Sequence, residues 1–150
     1  MMRIVLDSGP LGLSVHQSAS ASRDACRDWI VAHLKAGNEL LVPEIVEYEL
    51  RRELLRLNHA KALASLALFI EAIPDRRMLL TSSDLRLAAE LWAKARQQGK
   101  PTADVHALDV DVILCAQVLN IVQQQPGLII ATTNTRHLSQ FLDARDWATV

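Results

Sequence analysis

The residues best suited to chemistry in this chain are acids and one amide, and each sits at a place of a similar kind. Asp7 follows the apolar run Ile4-Val5-Leu6, and Asn134 follows Leu128-Ile129-Ile130-Ala131 across Thr132 and Thr133. Asp109 and Asp111 stand at the head of the apolar stretch Val112 to Val122, and Glu49 flanks a stripe of Val46, Leu50, Leu54 and Leu57. Open α/β sheets bind their ligands at the carboxyl ends of central parallel strands, where Asp7 would lie. Carboxylates brought together repel one another and resist ionisation. A divalent cation relieves that repulsion, and oxygen-only ligands favour Mg²⁺ or Mn²⁺ over zinc.

Each residue also has a plain structural reading. Asp7 caps the short helix that Gly9-Pro10-Leu11 opens. Asp109 is a good N-cap for the helix after it, and Asp111 complements that helix's dipole. Glu49 pairs with Arg52 on a solvated face, Asp104 is a loop residue and Asn134 a turn residue. His106 and His137 have no partner at metal spacing and read as structural or surface residues. Only the joint placement, two strand ends and one buried helix start, favours chemistry.

These positions need elements to hold them. Ile4–Leu6 and Leu128–Ala131 read as strands buried on both faces, with Glu39–Val42 and Met78–Leu80 as two more. Helical patterning runs over Ser22–Lys35, Glu44–Asn58 and His59–Ala72. A further helix is capped by Ser82 or Ser83 and stopped by Gly99 and Pro101, and an almost wholly apolar one runs from Asp111 to Val122. Ser8–His16 is a loop or short helix, Thr102–Asp109 a loop or single turn, His137–Leu142 a short helix, and Trp147–Val150 a final edge strand. Tyr48 and Leu55 form a second apolar strip on the far face of the Glu44 helix, and Arg51, Arg52 and Arg56 make this the most basic local stretch. Alternation of strands and helices without a repeat or a break predicts one domain over residues 1–150, a parallel α/β sandwich of four or five strands.

Composition agrees. The 150 residues are half hydrophobic and 22% charged, as in a globular domain with a real core. A net charge of −1 argues against strong nonspecific binding to nucleic acid but leaves room for a local basic patch. Cys26 and Cys115 read as reduced, buried thiols without zinc spacing. Asp7 and Pro10 interrupt any leader-like segment, and no apolar run spans a bilayer, so a soluble, cytoplasmic protein is expected.

Four short motifs in order, Ile-Val-Leu-Asp at 4–7, Glu-Leu-Arg-Arg at 49–52, Asp-Val-Ile-Leu-Cys-Ala-Gln at 111–117 and Thr-Thr-Asn at 132–134, resemble a PIN domain. The likeness covers nearly the whole chain and is greatest to single-domain bacterial members close to VapC-type toxins. Val-Pro-Glu-Ile-Val-Glu-Tyr-Glu-Leu-Arg-Arg-Glu-Leu and Leu-Asp-Val-Asp-Val-Ile-Leu resemble a subgroup common in cyanobacteria. The resemblance implies a three-layer α/β/α sandwich with strand order 3-2-1-4-5. It implies a ribonuclease dependent on Mg²⁺ or Mn²⁺, with Asp7, Glu49 and Asp111 in the first three acidic positions and Asp109 beside the third. Asn134 matches the fourth position, where many members carry aspartate, and Thr132 a hydroxyl position near the cluster, which with Arg51 and Arg52 implies a substrate contact. In-line hydrolysis of RNA leaving a 5′ phosphate, a toxin's role, an antitoxin chain as partner and a homodimer at the Tyr48–Leu55 strip follow from the same resemblance.

Arg51, Arg52, Arg76 and Arg77 are candidates for phosphate contacts, with solvated surface as the plain alternative. The rival to a nuclease is a PIN-fold module that binds RNA or protein without cutting, favoured by the uncharged Asn134 and the near-neutral balance. A phosphoryl-transfer enzyme with an aspartate nucleophile would need a second aspartate where Gly9 stands.

Overall fold

The computed structural model describes residues 1–101, 104 and 109–150. The loop read over Thr102–Asp109 therefore lies outside the described residues except for Asp104 and Asp109, and His106 lies outside them altogether. Among the described residues five parallel strands form one sheet in the order β3-β2-β1-β4-β5, the order that the resemblance implied. They are β1 (Arg3–Leu6), β2 (Glu39–Pro43), β3 (Arg77–Met78), β4 (Leu128–Thr132) and β5 (Ala144–Asp146). The helices are α1 (Ser8–Val15), α2 (Ala21–Lys35), α3 (Glu44–Arg56), α4 (Ala60–Glu71), α5 (Ser82–Gln97), α6 (Val110–Val122) and α7 (Thr135–Leu138).

β1 is central because its residues can be nowhere else. Ile4, Val5 and Leu6 are completely buried, and Val5 is in register with Leu41 on one side and Ile130 on the other. The Asp7 N–H donates to the Ala131 carbonyl at 3.0 Å, so the ladder runs on into the first acid. α6 is buried at Val110 and from Val112 to Val118, which explains its apolar residues on every side. Among the described residues no helix is long and apolar enough to cross a membrane.

Edges are where the sequence reading departs from the structure. β3 covers two residues, ending before the predicted Leu79 and Leu80. Acids of α3 hold it there. The Glu47 carboxylate accepts from Arg77 Nε at 2.6 Å, and Glu44 Oε2 accepts from the Leu80 N–H at 2.7 Å. Arg76 is buried, with its guanidinium 4.1 Å from the centre of the Phe69 ring and bonded to the Phe69 carbonyl, so it cannot meet a phosphate. The last edge strand is Ala144–Asp146, not Trp147–Val150. Trp147 begins a 3-10 turn and packs edge-on against Trp29 at 5.8 Å, so its aromatic bulk serves the core rather than a ladder. α7 covers Thr135–Leu138, its start set by the Asn134 cap, and α5 is capped by Thr81, in a reciprocal box with Asp84, rather than by Ser82 or Ser83.

α1 lies so close to the end of β4 that a Cβ on Gly9 would stand 2.9 Å from the Cβ of Thr133, with the Thr133 hydroxyl nearer still. Gly9→Ala should therefore push the β4–α7 connection outward at a cost of about 1–3 kcal/mol, typical of overpacking. Thermal unfolding should show a lower Tm for Gly9→Ala, recovered in large part by Thr133→Gly. An unchanged Tm would mean that the contact yields freely.

Candidate active site

Asp7 takes the capping role predicted for it. Its backbone is extended and its Oδ1 accepts the Ser8 N–H at 2.7 Å, capping α1. Its Oδ2 accepts the Thr132 hydroxyl at 2.7 Å, across the β1–β4 pair. Thr132 is fully buried and its oxygen also accepts the Asn134 N–H at 3.0 Å. It therefore sits beneath the site and holds Asp7, where a substrate contact was expected. Burial raises the Asp7 carboxyl above its ordinary range, against the pull of the Thr132 and Ser8 hydrogen bonds.

Glu49 and Asp111 face the same region. Glu49 is half-buried on α3. Burial raises its carboxyl, the charges of Asp7 and Asp111 raise it further, and a hydrogen bond with Ser8 and the charge of Arg52 oppose them. Asp111, on the first turn of α6, is raised by burial, then by Asp7 and by Asp109, against a hydrogen bond with His137. The charge of Asp7 thus acts on both Glu49 and Asp111, acids borne by the end of β1, by α3 and by α6. Among the described residues no three acid, histidine or cysteine side chains are grouped closely enough to hold one ion as placed.

The remaining predicted residues divide. Asp109 is buried and its Oδ1 accepts the Val112 N–H at 3.2 Å, so it caps α6 while its charge acts on Asp111. Asn134 is exposed and its Oδ1 accepts the Arg136 N–H at 3.3 Å, which is a helix cap. Arg51 is paired with Glu47 at 3.1 Å. Arg52 is exposed beside Glu49, with its guanidinium 5.4 Å from the Tyr48 ring centre. Cys26 and Cys115 are free and buried, as read. Burial pushes the Cys115 thiol up, and the charges of Asp111, Asp7 and Asp109 add to it.

Two residues have partners that their places in the sequence do not show. Glu47 is buried between Arg77 and Arg51; burial works against its charge, but the two guanidiniums win and hold its carboxyl below the usual range. Its signal was an acid three residues into an apolar helix face. His137 reaches Asp111, with Nδ1 3.2 Å from Oδ2. Its only signal was a position one helical turn beyond the Asn134 cap.

The raised carboxyls have a consequence for stability. The folded chain keeps protons on Asp7, Glu49 and Asp111 at pH values where the unfolded chain has released them, so their contribution to stability declines as pH rises through that window. Glu49→Gln removes one of three like charges. Without divalent cations its Tm should exceed wild type at pH 7, and the advantage should fade as pH falls towards about 4, the ordinary carboxylate value. A Tm at or below wild type at pH 7 would contradict the repulsion.

No family profile matches the chain, and no curated protein matches it. Solved structures do. VapBC2 from Rickettsia felis, bound to a DNA fragment from their promoter, matches with a TM-score of 0.68 at 13% identity, over 97% of this chain and 100% of that one. FitAcB from Neisseria gonorrhoeae gives 0.67 at 16% identity, and VapBC-1 from nontypeable Haemophilus influenzae 0.59 at 15%, each over 98% of this chain and 99% of the other. Likeness at this identity establishes shared architecture, and with the strand order and the placement of Asp7 it identifies the chain's fold as PIN-like.

Proposed function

We propose that this chain is a metal-dependent endoribonuclease that hydrolyses RNA phosphodiester bonds, with Asp7, Glu49 and Asp111 as the acids that hold Mg²⁺ or Mn²⁺ and Asp109 beside them. The observation that carries the reading is the convergence of three carboxylates from separate elements, each raised by burial, with charge coupling Glu49 and Asp111 to Asp7. The donor set suits a hard cation, being all oxygen. Asp7 Oδ1 and Oδ2 are each given one protein donor, which leaves each oxygen a further lone pair. A divalent ion bound there would supply activation of water and stabilisation of charge on the phosphate. The chain's own part is positional. Thr132 and the Ser8 N–H fix Asp7, Ser8 steadies Glu49, and Arg52 stands exposed beside the acids to meet a phosphate, whereas Arg51 is engaged by Glu47.

The VapBC and FitAcB assemblies among the similar structures support a toxin's role here, with a separate antitoxin chain as partner. A second reading, a PIN-fold module that binds RNA or protein without cutting, is favoured by Asn134, which brings no charge and caps α7. Calorimetric titration with Mn²⁺ separates the two. Wild type should bind, Asp7→Asn and Asp111→Asn should each abolish or severely weaken binding, and cleavage of RNA should be lost in parallel. Absence of binding in wild type, or binding indifferent to both substitutions, would favour the non-cutting module.

The homodimer belongs to the same reading. Tyr48 and Leu55 are 50% and 57% exposed on the outer face of α3, more than two large apolar side chains on one helix need be. Sedimentation at micromolar concentration should give a dimer, and Leu55→Glu a monomer. A monomeric wild type would remove this part of the proposal.

A further inference from the structure

We propose that His137 is the fourth member of the acidic site, a positioning residue whose ring holds the Asp111 carboxylate in place, at the point in the fold where the sequence motif offers Asn134. The proposal rests on the nuclease reading above.

The Asn134 side-chain oxygen is turned to the Arg136 N–H as the cap of α7, and the residue is exposed. That cap starts the turn that carries His137 back over the site. Leu138, next in the chain, is almost wholly buried and anchors the turn in the core. His137 Nδ1 then lies 3.2 Å from Asp111 Oδ2, with both side chains about one-third exposed, at 32% and 31%. Both groups are thus accessible from solvent while touching one another.

The contact closes a circuit. Asp7 Oδ2 takes the Thr132 hydroxyl, the Thr132 oxygen takes the Asn134 N–H, Asn134 caps α7, and α7 delivers His137 to Asp111. The acids of β1 and α6 are therefore held relative to one another by a single run of polar contacts through the end of β4. Chemistry favours a histidine in this place. An Nδ1–H donated to Oδ2 fixes the ring's tautomer and the carboxylate's rotation, and leaves Nε2 as an acceptor. A histidine donor adds no negative charge beside carboxyls of which two, Glu49 and Asp111, are already raised by the charge of Asp7, whereas an aspartate would. Outer partners that orient a ligand in this way commonly alter metal affinity by about 10–100-fold when removed.

The test compares wild type with His137→Ala and His137→Asn, the asparagine amide standing near the Nδ1 position. Mn²⁺ affinity is read by calorimetry, RNA cleavage by kcat and KM separately, and folding by thermal unfolding. Expected are a loss of at least about tenfold in Mn²⁺ affinity in His137→Ala, a fall in kcat with little change in KM, a near-normal Tm, and substantial recovery of affinity in His137→Asn. Wild-type affinity in His137→Ala overturns the proposal. So does equal impairment in both variants, since the ring would then act by bulk. A wild type that binds no Mn²⁺ overturns the nuclease reading itself, an outcome seen before any His137 variant is made.

Discussion

The hydrogen bond from the Thr132 hydroxyl to Asp7 is the contact on which the site depends. It joins the carboxyl ends of β1 and β4, the two strands between which residues most distant in sequence meet. A buried carboxylate costs stability unless its oxygens are satisfied. Here one oxygen takes the Ser8 N–H and the other the Thr132 hydroxyl, so Asp7 stays fixed although burial still raises its pKa. Gly9 belongs to the same constraint, because a side chain there would drive α1 off the end of β4.

Around Asp7 the fold tolerates an arrangement that disfavours its own stability. Glu49 and Asp111 are both half-withdrawn from water, and Asp7 acts on each by charge. A domain selected only for stability would separate them; strain of this kind collects at functional sites. Glu47, two residues before Glu49 on the same helix, shows the contrast. It is the more buried of the two, yet Arg77 and Arg51 hold its carboxyl below the ordinary range. One helix therefore carries an acid that ties down the edge of the sheet and an acid left facing other acids.

Much of the architecture was legible because it follows from burial. The runs Ile4–Leu6 and Leu128–Ala131 had to be central strands, and a helix as apolar as α6 had to be covered on all sides. The edges were less legible. β3 owes its two residues to Glu44 and Glu47 on another element, and Trp147 left the last strand for the face of Trp29. In both cases a distant side chain outweighed local propensity.

The same division runs through the site. Sequence alone determined that acids stand at the end of the first strand, on a helix flank and at a buried helix start, because strand ends and caps are local events read from neighbouring residues. Tertiary structure alone decided that Glu49 feels the charges of Asp7 and Asp111 as well as that of Arg52, that the Thr132 hydroxyl meets Asp7, that Asn134 caps α7, and that His137 reaches Asp111. Those outcomes depend on how β1, α3, α6 and α7 pack across gaps of up to 125 residues, and side-chain direction across such gaps is set by packing, which spacing along the chain does not encode.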